Sequence, residues 1–119
     1  MNARRILALV AAQLLIAGAA QATTVSTGAL LRNGGQLACL VTNASPSPLT
    51  VDIRVMYEHG ARAGGYSITL APSETRYSSS TSATIDHCEF TFPGNPKRVR
   101  ALVCSGPVGG PCTATAPAQ

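Results

Sequence analysis

Hydrophobic and polar residues alternate along most of this chain, and the alternation predicts strands. Between Gln36 and Asn43 every second residue, Leu37, Cys39 and Val41, is apolar, as a strand with one face on a core requires. Leu49 to Glu58 is more regular still: Val51, Ile53, Val55 and Tyr57 fall on one face, and Asp52, Arg54, Met56 and Glu58 on the other. Such a run predicts a sheet that is wet on one side. Asp86 to Phe92 places Cys88, Phe90 and Phe92 opposite His87, Glu89 and Thr91. Lys97 to Cys104 places Val99, Ala101 and Val103 inward, and Arg98, Arg100 and Leu102 outward. Shorter runs at Thr24 to Leu31, Tyr66 to Leu70 and Cys112 to Ala116 read as further strands, and Ala71-Pro72-Ser73-Glu74 turns the chain into Thr75-Arg76-Tyr77-Ser78.

The punctuation between these runs is turn chemistry. Asn33-Gly34-Gly35 predicts a hairpin joining the first strand to Gln36–Asn43, because both central positions tolerate positive φ. Pro93-Gly94-Asn95-Pro96 predicts a tight turn that pairs Lys97–Cys104 back on the preceding strand. Ala61 to Gly65 reads as a flexible connection, Ser78 to Thr84 as a solvated one, Ser105 to Pro111 as a loop, and the residues after Ala116 as a fraying tail. Strand-like runs at this spacing, with no amphipathic helical run, predict an all-β antiparallel sandwich of about seven strands. The two ends, Thr24–Leu31 and Cys112–Ala116, are the expected edge strands, and edges can capture a partner by strand addition.

Residues 1–22 stand apart from this pattern. Arg4 and Arg5 precede an apolar run from Ile6 to Ala20, and Ala20-Gln21-Ala22 has small residues where a signal peptidase reads. This is the plan of a secretory signal peptide, with a helical apolar core and cleavage after Ala22. The run is shorter than the roughly 20 apolar residues of a spanning helix. The expected product is one domain, residues 23–119, periplasmic or secreted, with no transmembrane segment after cleavage. Cleavage also removes Arg4 and Arg5, so nine basic and five acidic residues become seven and five, and the net charge falls from +4 to +2. That surplus is too small to argue for nucleic-acid binding.

All four cysteines lie beyond the cleavage point, and an even count in an exported chain predicts two disulfides. Four cysteines allow three pairings. Strand parity favours one: Cys39 and Cys88 share the inward face on distant strands, while Cys104 has the opposite parity and lies within loop reach of Cys112.

The run Leu37-Ala38-Cys39-Leu40-Val41-Thr42-Asn43, the alternating Leu49–Tyr57 and the turn Leu70-Ala71-Pro72-Ser73-Glu74-Thr75 resemble exported bacterial immunoglobulin-like modules, fibronectin-III-like or cell-adhesion-related. In those modules a glycine usually stands where this turn has Ser73. The resemblance implies a β-sandwich and carries no catalytic residues.

Candidate chemistry is sparse. Nucleophilic catalysis needs a nucleophile beside an oriented base. The only histidines are His59, in a turn, and His87, on an outward face next to Asp86, whose side chain a regular strand would point the other way. No catalytic residue, metal site or cofactor is expected. Asn43-Ala44-Ser45 fits the N-glycosylation pattern. Lys97, Arg98 and Arg100 are the one charge cluster, a candidate contact for an anionic surface such as acidic polysaccharide or lipid headgroups. The competing reading is a solvated strand face with Glu89 opposite the arginines. The expected function is therefore a binding or structural module of the cell envelope, whose partner is an envelope protein or polysaccharide. The alternative is an enzyme or inhibitor with its site in the loops at Ala61–Gly65 or Ser105–Pro111.

Overall fold

The computed structural model describes residues 21–30, 35–82 and 84–119. The signal-peptide core and the Asn33-Gly34 part of the expected hairpin lie outside them. Eight strands form: β1 (Ala22–Ser26), β2 (Gln36–Asn43), β3 (Leu49–Tyr57), β4 (Arg62–Leu70), β5 (Thr75–Ser80), β6 (Ile85–Pro93), β7 (Val99–Gly106) and β8 (Ala114–Pro117). They build two antiparallel sheets of four, in the orders β1-β6-β3-β4 and β5-β2-β7-β8. The all-β sandwich expected from the alternation is present, with one strand more than the expected seven.

The inner faces are made by the residues that the alternation marked. Val51, Ile53, Val55, Phe90 and Phe92 of the first sheet and Leu37, Val41 and Val103 of the second are all buried. Each such side chain contributes about 1.5–3 kcal/mol by leaving water. Cys39 and Cys88 meet between the sheets, with Cα atoms 5.6 Å apart. Cys104 and Cys112 close the loop after β7, also at 5.6 Å. Both pairings follow the strand parity.

Strand neighbours differ from the sequence reading in two places. β1 pairs with β6 rather than β2, and β7 pairs with β2 and β8 rather than β6. β1 and β2 therefore belong to different sheets, and Pro93–Pro96 lies in a link that crosses between sheets. This crossing is built by a single 3-10 turn, Pro96–Arg98, capped by Asn95, whose Oδ1 accepts from the Lys97 N–H. Pro96 suits its first position because it has no N–H to satisfy there.

Two connections read as loops are partly strands. Ala61–Gly65 is mostly inside β4, and Ser78–Ser80 completes β5. A bulge lets β4 run so close to the turn at His59-Gly60: Val55 pairs with Gly64 and Met56 with Arg62, leaving Ala63 over. A second bulge lies between Met56 and Tyr57 on the β6 side. Met56 sits between the two, where alternation fails, and is buried despite its outward parity.

The open sides of the sandwich are latched. The tail does not run free: Ser26 and Gln119 exchange backbone hydrogen bonds of 3.2 and 3.1 Å, and Ala118 donates to the Ala101 carbonyl at 2.9 Å. This ties β1 to the residues after β8. On the other side the Tyr66 hydroxyl of β4 donates to the Tyr77 carbonyl of β5 at 2.9 Å. Each latch covers edge groups that would otherwise pair with another chain.

Candidate binding face

The two outer faces differ sharply. On the first sheet Arg54 lies 3.4 Å from Asp52 and 3.6 Å from Glu89, and Arg62 lies 3.4 Å from Asp52. Arg54 also donates to the Thr91 hydroxyl. Threonine pairs Thr24–Thr91 and Thr50–Thr69 each bond at 2.8 Å. Half-exposed ion pairs of this kind contribute about 0–1 kcal/mol each. They keep the face solvated and its charges mutually spent.

The outer face of the second sheet carries apolar side chains instead. The register aligns Tyr77, Leu40, Leu102 and Pro117 in one row across all four strands. The neighbouring row is Thr75, Thr42 and Arg100, with the Thr75 and Thr42 hydroxyls 2.6 Å apart. On the other side of the apolar row lie Ser79, Ala38, Cys104 and Thr115. Tyr77 is 63% exposed. Arg100 is exposed and makes no ion pair among the described residues, and no carboxylate stands on this face of the four strands.

Three shallow depressions run together here. One, of about 270 Å³, lies between Leu40, Thr75, Arg100, Leu102 and Pro117. The second, of about 340 Å³, lies between Leu40, Tyr77, Cys104, Gly110 and Cys112. The third, of about 280 Å³, continues past Thr42 and Arg100 to Ala44 and Ser73. The first two share Leu40, and the first and third share Thr42 and Arg100. The Cys104–Cys112 bridge, on outward parity, holds the Pro107–Pro111 loop at one end of this trough.

The basic cluster read from the sequence is dispersed. Lys97 and Arg98 belong to the 3-10 turn. Arg98 folds back, its Nη1 donating to the Pro93 carbonyl at 3.0 Å and its Nη2 to Ser47 Oγ at 3.3 Å. Glu89 is in the other sheet, against Arg54 rather than opposite the arginines. Of the three, Arg100 alone lies on this outer face.

Asp86 and His87 also depart from expectation. Asp86 is the extra residue of the β6 bulge, so its side chain turns to His87 and Oδ1 lies 2.5 Å from Nδ1. No hydroxyl completes a triad with this pair among the described residues. The Asn43-Ala44-Ser45 motif is structural: Asn43 is fully buried, and its amide donates to the carbonyls of Ser47 and Leu70. Its nitrogen is therefore closed to a glycan in the folded chain.

A sequence signal for the face existed. Ala38, Leu40 and Leu102 are apolar at outward positions, but only the β2–β7 pairing shows that they adjoin.

No protein-family model matches this chain, and no curated protein matches it. Among solved structures it is similar to the crystal structure of Thermotoga maritima 1070, at 10% identity over 86% of this chain and 95% of that one, with a TM-score of 0.50. It also matches the Anabaena sensory rhodopsin transducer, at 15% identity over 71% of this chain and 86% of that one, with a TM-score of 0.40. The first likeness concerns the fold alone. The class the coordinates define is a disulfide-bridged antiparallel β-sandwich with one polar and one apolar outer face.

Proposed function

We propose that this chain is an exported binding module of the cell envelope that engages its partner through the outer face of the β5-β2-β7-β8 sheet. The observation that carries the reading is the contrast between the two outer faces. One has spent its charges on itself; the other exposes Tyr77 and leaves Leu40 and Leu102 half-buried, beside an Arg100 with no ion pair among the described residues. Aromatic residues and arginine, with other charges depleted, are the composition of recognition surfaces. Two disulfides fit an oxidising compartment, periplasmic or extracellular. Among the described residues no helix is long and apolar enough to cross a membrane.

Kinship with immunoglobulin-like modules draws support from the inter-sheet bridge between the second and sixth strands and from the β4-β3-β6 and β5-β2 neighbours. The order departs from that family where β1 lies beside β6 and β7 beside β2. The module acts by binding and not by catalysis.

Cosedimentation with isolated envelope fractions tests the proposal. The wild-type protein is expected to pellet with the envelope, Leu40→Glu to stay in the supernatant, and Thr50→Glu on the opposite face to behave as wild type. Wild-type protein that stays in solution, or two variants that behave alike, overturns it.

A further inference from the structure

Resting on the reading of this face as the contact surface, we propose that its ligand is an acidic polysaccharide, bound along the trough with a carboxylate on Arg100 and a sugar ring on Tyr77.

Size argues against a folded partner on this face alone. Four strands at about 4.8 Å spacing, averaging six or seven residues of about 3.4 Å, give a plan area of roughly 400 Å². A standard interface needs about 800 Å² from each partner. An extended chain fits the trough better. A peptide is poorly served there, because the backbone groups of β2 and β7 are consumed by neighbours on both sides. Peptides that add to sheets do so at edges. A peptide laid flat over Leu40 and Leu102 would bury its own amides without partners, which is costly.

A pyranose has the opposite requirements. Its C–H face packs on an aromatic ring, and its rim hydroxyls need hydroxyl partners. Tyr77 supplies an exposed ring, and Thr42, Thr75, Ser79 and Thr115 supply hydroxyls along the two sides. Arg100 is two strands and two residues away from Tyr77, about 12 Å across the face. That span suits linked sugars rather than a single one. With no carboxylate beside it, the Arg100 guanidinium is the one charge on the face, and it calls for an anion. A guanidinium–carboxylate pair adds directionality as well as attraction.

The experiment titrates protein produced from the full-length chain with polygalacturonate, with neutral dextran and with phosphatidylglycerol vesicles, by calorimetry. Polygalacturonate is expected to bind, with dextran at least about tenfold weaker, as loss of a charge-assisted bond implies. Arg100→Gln is expected to weaken polygalacturonate about tenfold, and Tyr77→Ala about fivefold. Arg62→Gln, on the opposite face, should leave it unchanged. Both face residues are exposed, and the Tyr66 latch uses the Tyr77 backbone carbonyl, so the variants should keep the wild-type circular dichroism. No polygalacturonate binding overturns the inference, as does equal loss in Arg100→Gln and Arg62→Gln, or binding to the vesicles alone. If Leu40→Glu still releases the protein from envelope fractions in any of those cases, the contact face stands and only its ligand class falls.

Discussion

Replacing Asn43 by alanine removes a buried polar side chain that makes four hydrogen bonds. Asn43 is fully buried at the end of β2. Its Nδ2 donates to the Ser47 carbonyl at 2.8 Å and to the Leu70 carbonyl at 3.0 Å. Its Oδ1 accepts from the Ser45 N–H at 2.9 Å and the Ser45 hydroxyl at 2.7 Å. One amide thus joins the β2–β3 turn to the end of β4, with all four of its bonding positions filled. Four hydrogen bonds at a net of about 1 kcal/mol each set the scale near 4 kcal/mol. In the variant the Ser45 hydroxyl turns its one proton to the Ser47 carbonyl, 2.9 Å away, which brings the expected loss to about 3 kcal/mol. Against a total of about 5–15 kcal/mol that is a large fraction. In a domain of this size it corresponds to a fall of about 12–24 °C in Tm.

Asn43→Asp refines the test, because it keeps both accepting bonds and turns an oxygen toward two carbonyls. Burial and those carbonyls disfavour the charged form, so the folded pKa lies above the unfolded value of about 3.9. The folded state then holds a proton that the unfolded state releases. Stability must therefore fall as pH rises from about 4 through the folded pKa. Urea unfolding followed by far-UV circular dichroism, disulfides intact, at pH 4 and pH 7 measures both effects. An alanine variant within about 1 kcal/mol of wild type, or an aspartate variant whose penalty does not grow with pH, refutes the reasoning.

Other substitutions probe the frame. Replacing Cys39 and Cys88 together by alanine should cost about 4 kcal/mol, and Cys104 with Cys112 about 2.5 kcal/mol, because the loops span 49 and 8 residues; urea midpoints in the reverse order contradict this. Ser73 sits at φ 67° behind Pro72, in a turn closed by the Glu74 N–H on the Ala71 carbonyl. Ser73→Gly should relieve the left-handed strain of about 1–2 kcal/mol and, after the entropy glycine adds to the unfolded chain, raise stability by about 0.5–1 kcal/mol, read as a higher Tm. Gly65→Ala should cost at least about 2 kcal/mol, since φ is 122° and the new Cβ would meet the Ile53 carbonyl oxygen; a Tm within a degree or so of wild type, well short of that cost, would refute it.

Much of the interior was legible from alternation, and the reason is geometric. A strand exposes its faces with period two, so Val51, Ile53, Val55, Phe90 and Phe92 declared themselves as core. The same parity chose the disulfide partners, because a cysteine's face is a local property. The Ala71–Glu74 turn was equally local, set by Pro72 and the carbonyl it allows to be reached. Pairing was not. Period two says which way a side chain points and nothing about which strand lies alongside, and the strands expected to pair as hairpins, β1 with β2 and β6 with β7, proved to lie in different sheets. The bulges that buried Met56 and turned Asp86 onto His87 also depend on a neighbour's register. The proposed binding face needed both levels. Leu40, Leu102 and Tyr77 lie in three separate segments, and the ladders of β2 with β5 and β7 bring them into one row. Arg100 and Glu89, on neighbouring strands in a simple hairpin reading, ended on opposite sides of the sandwich because the chain crosses between sheets to bury both inner faces at once.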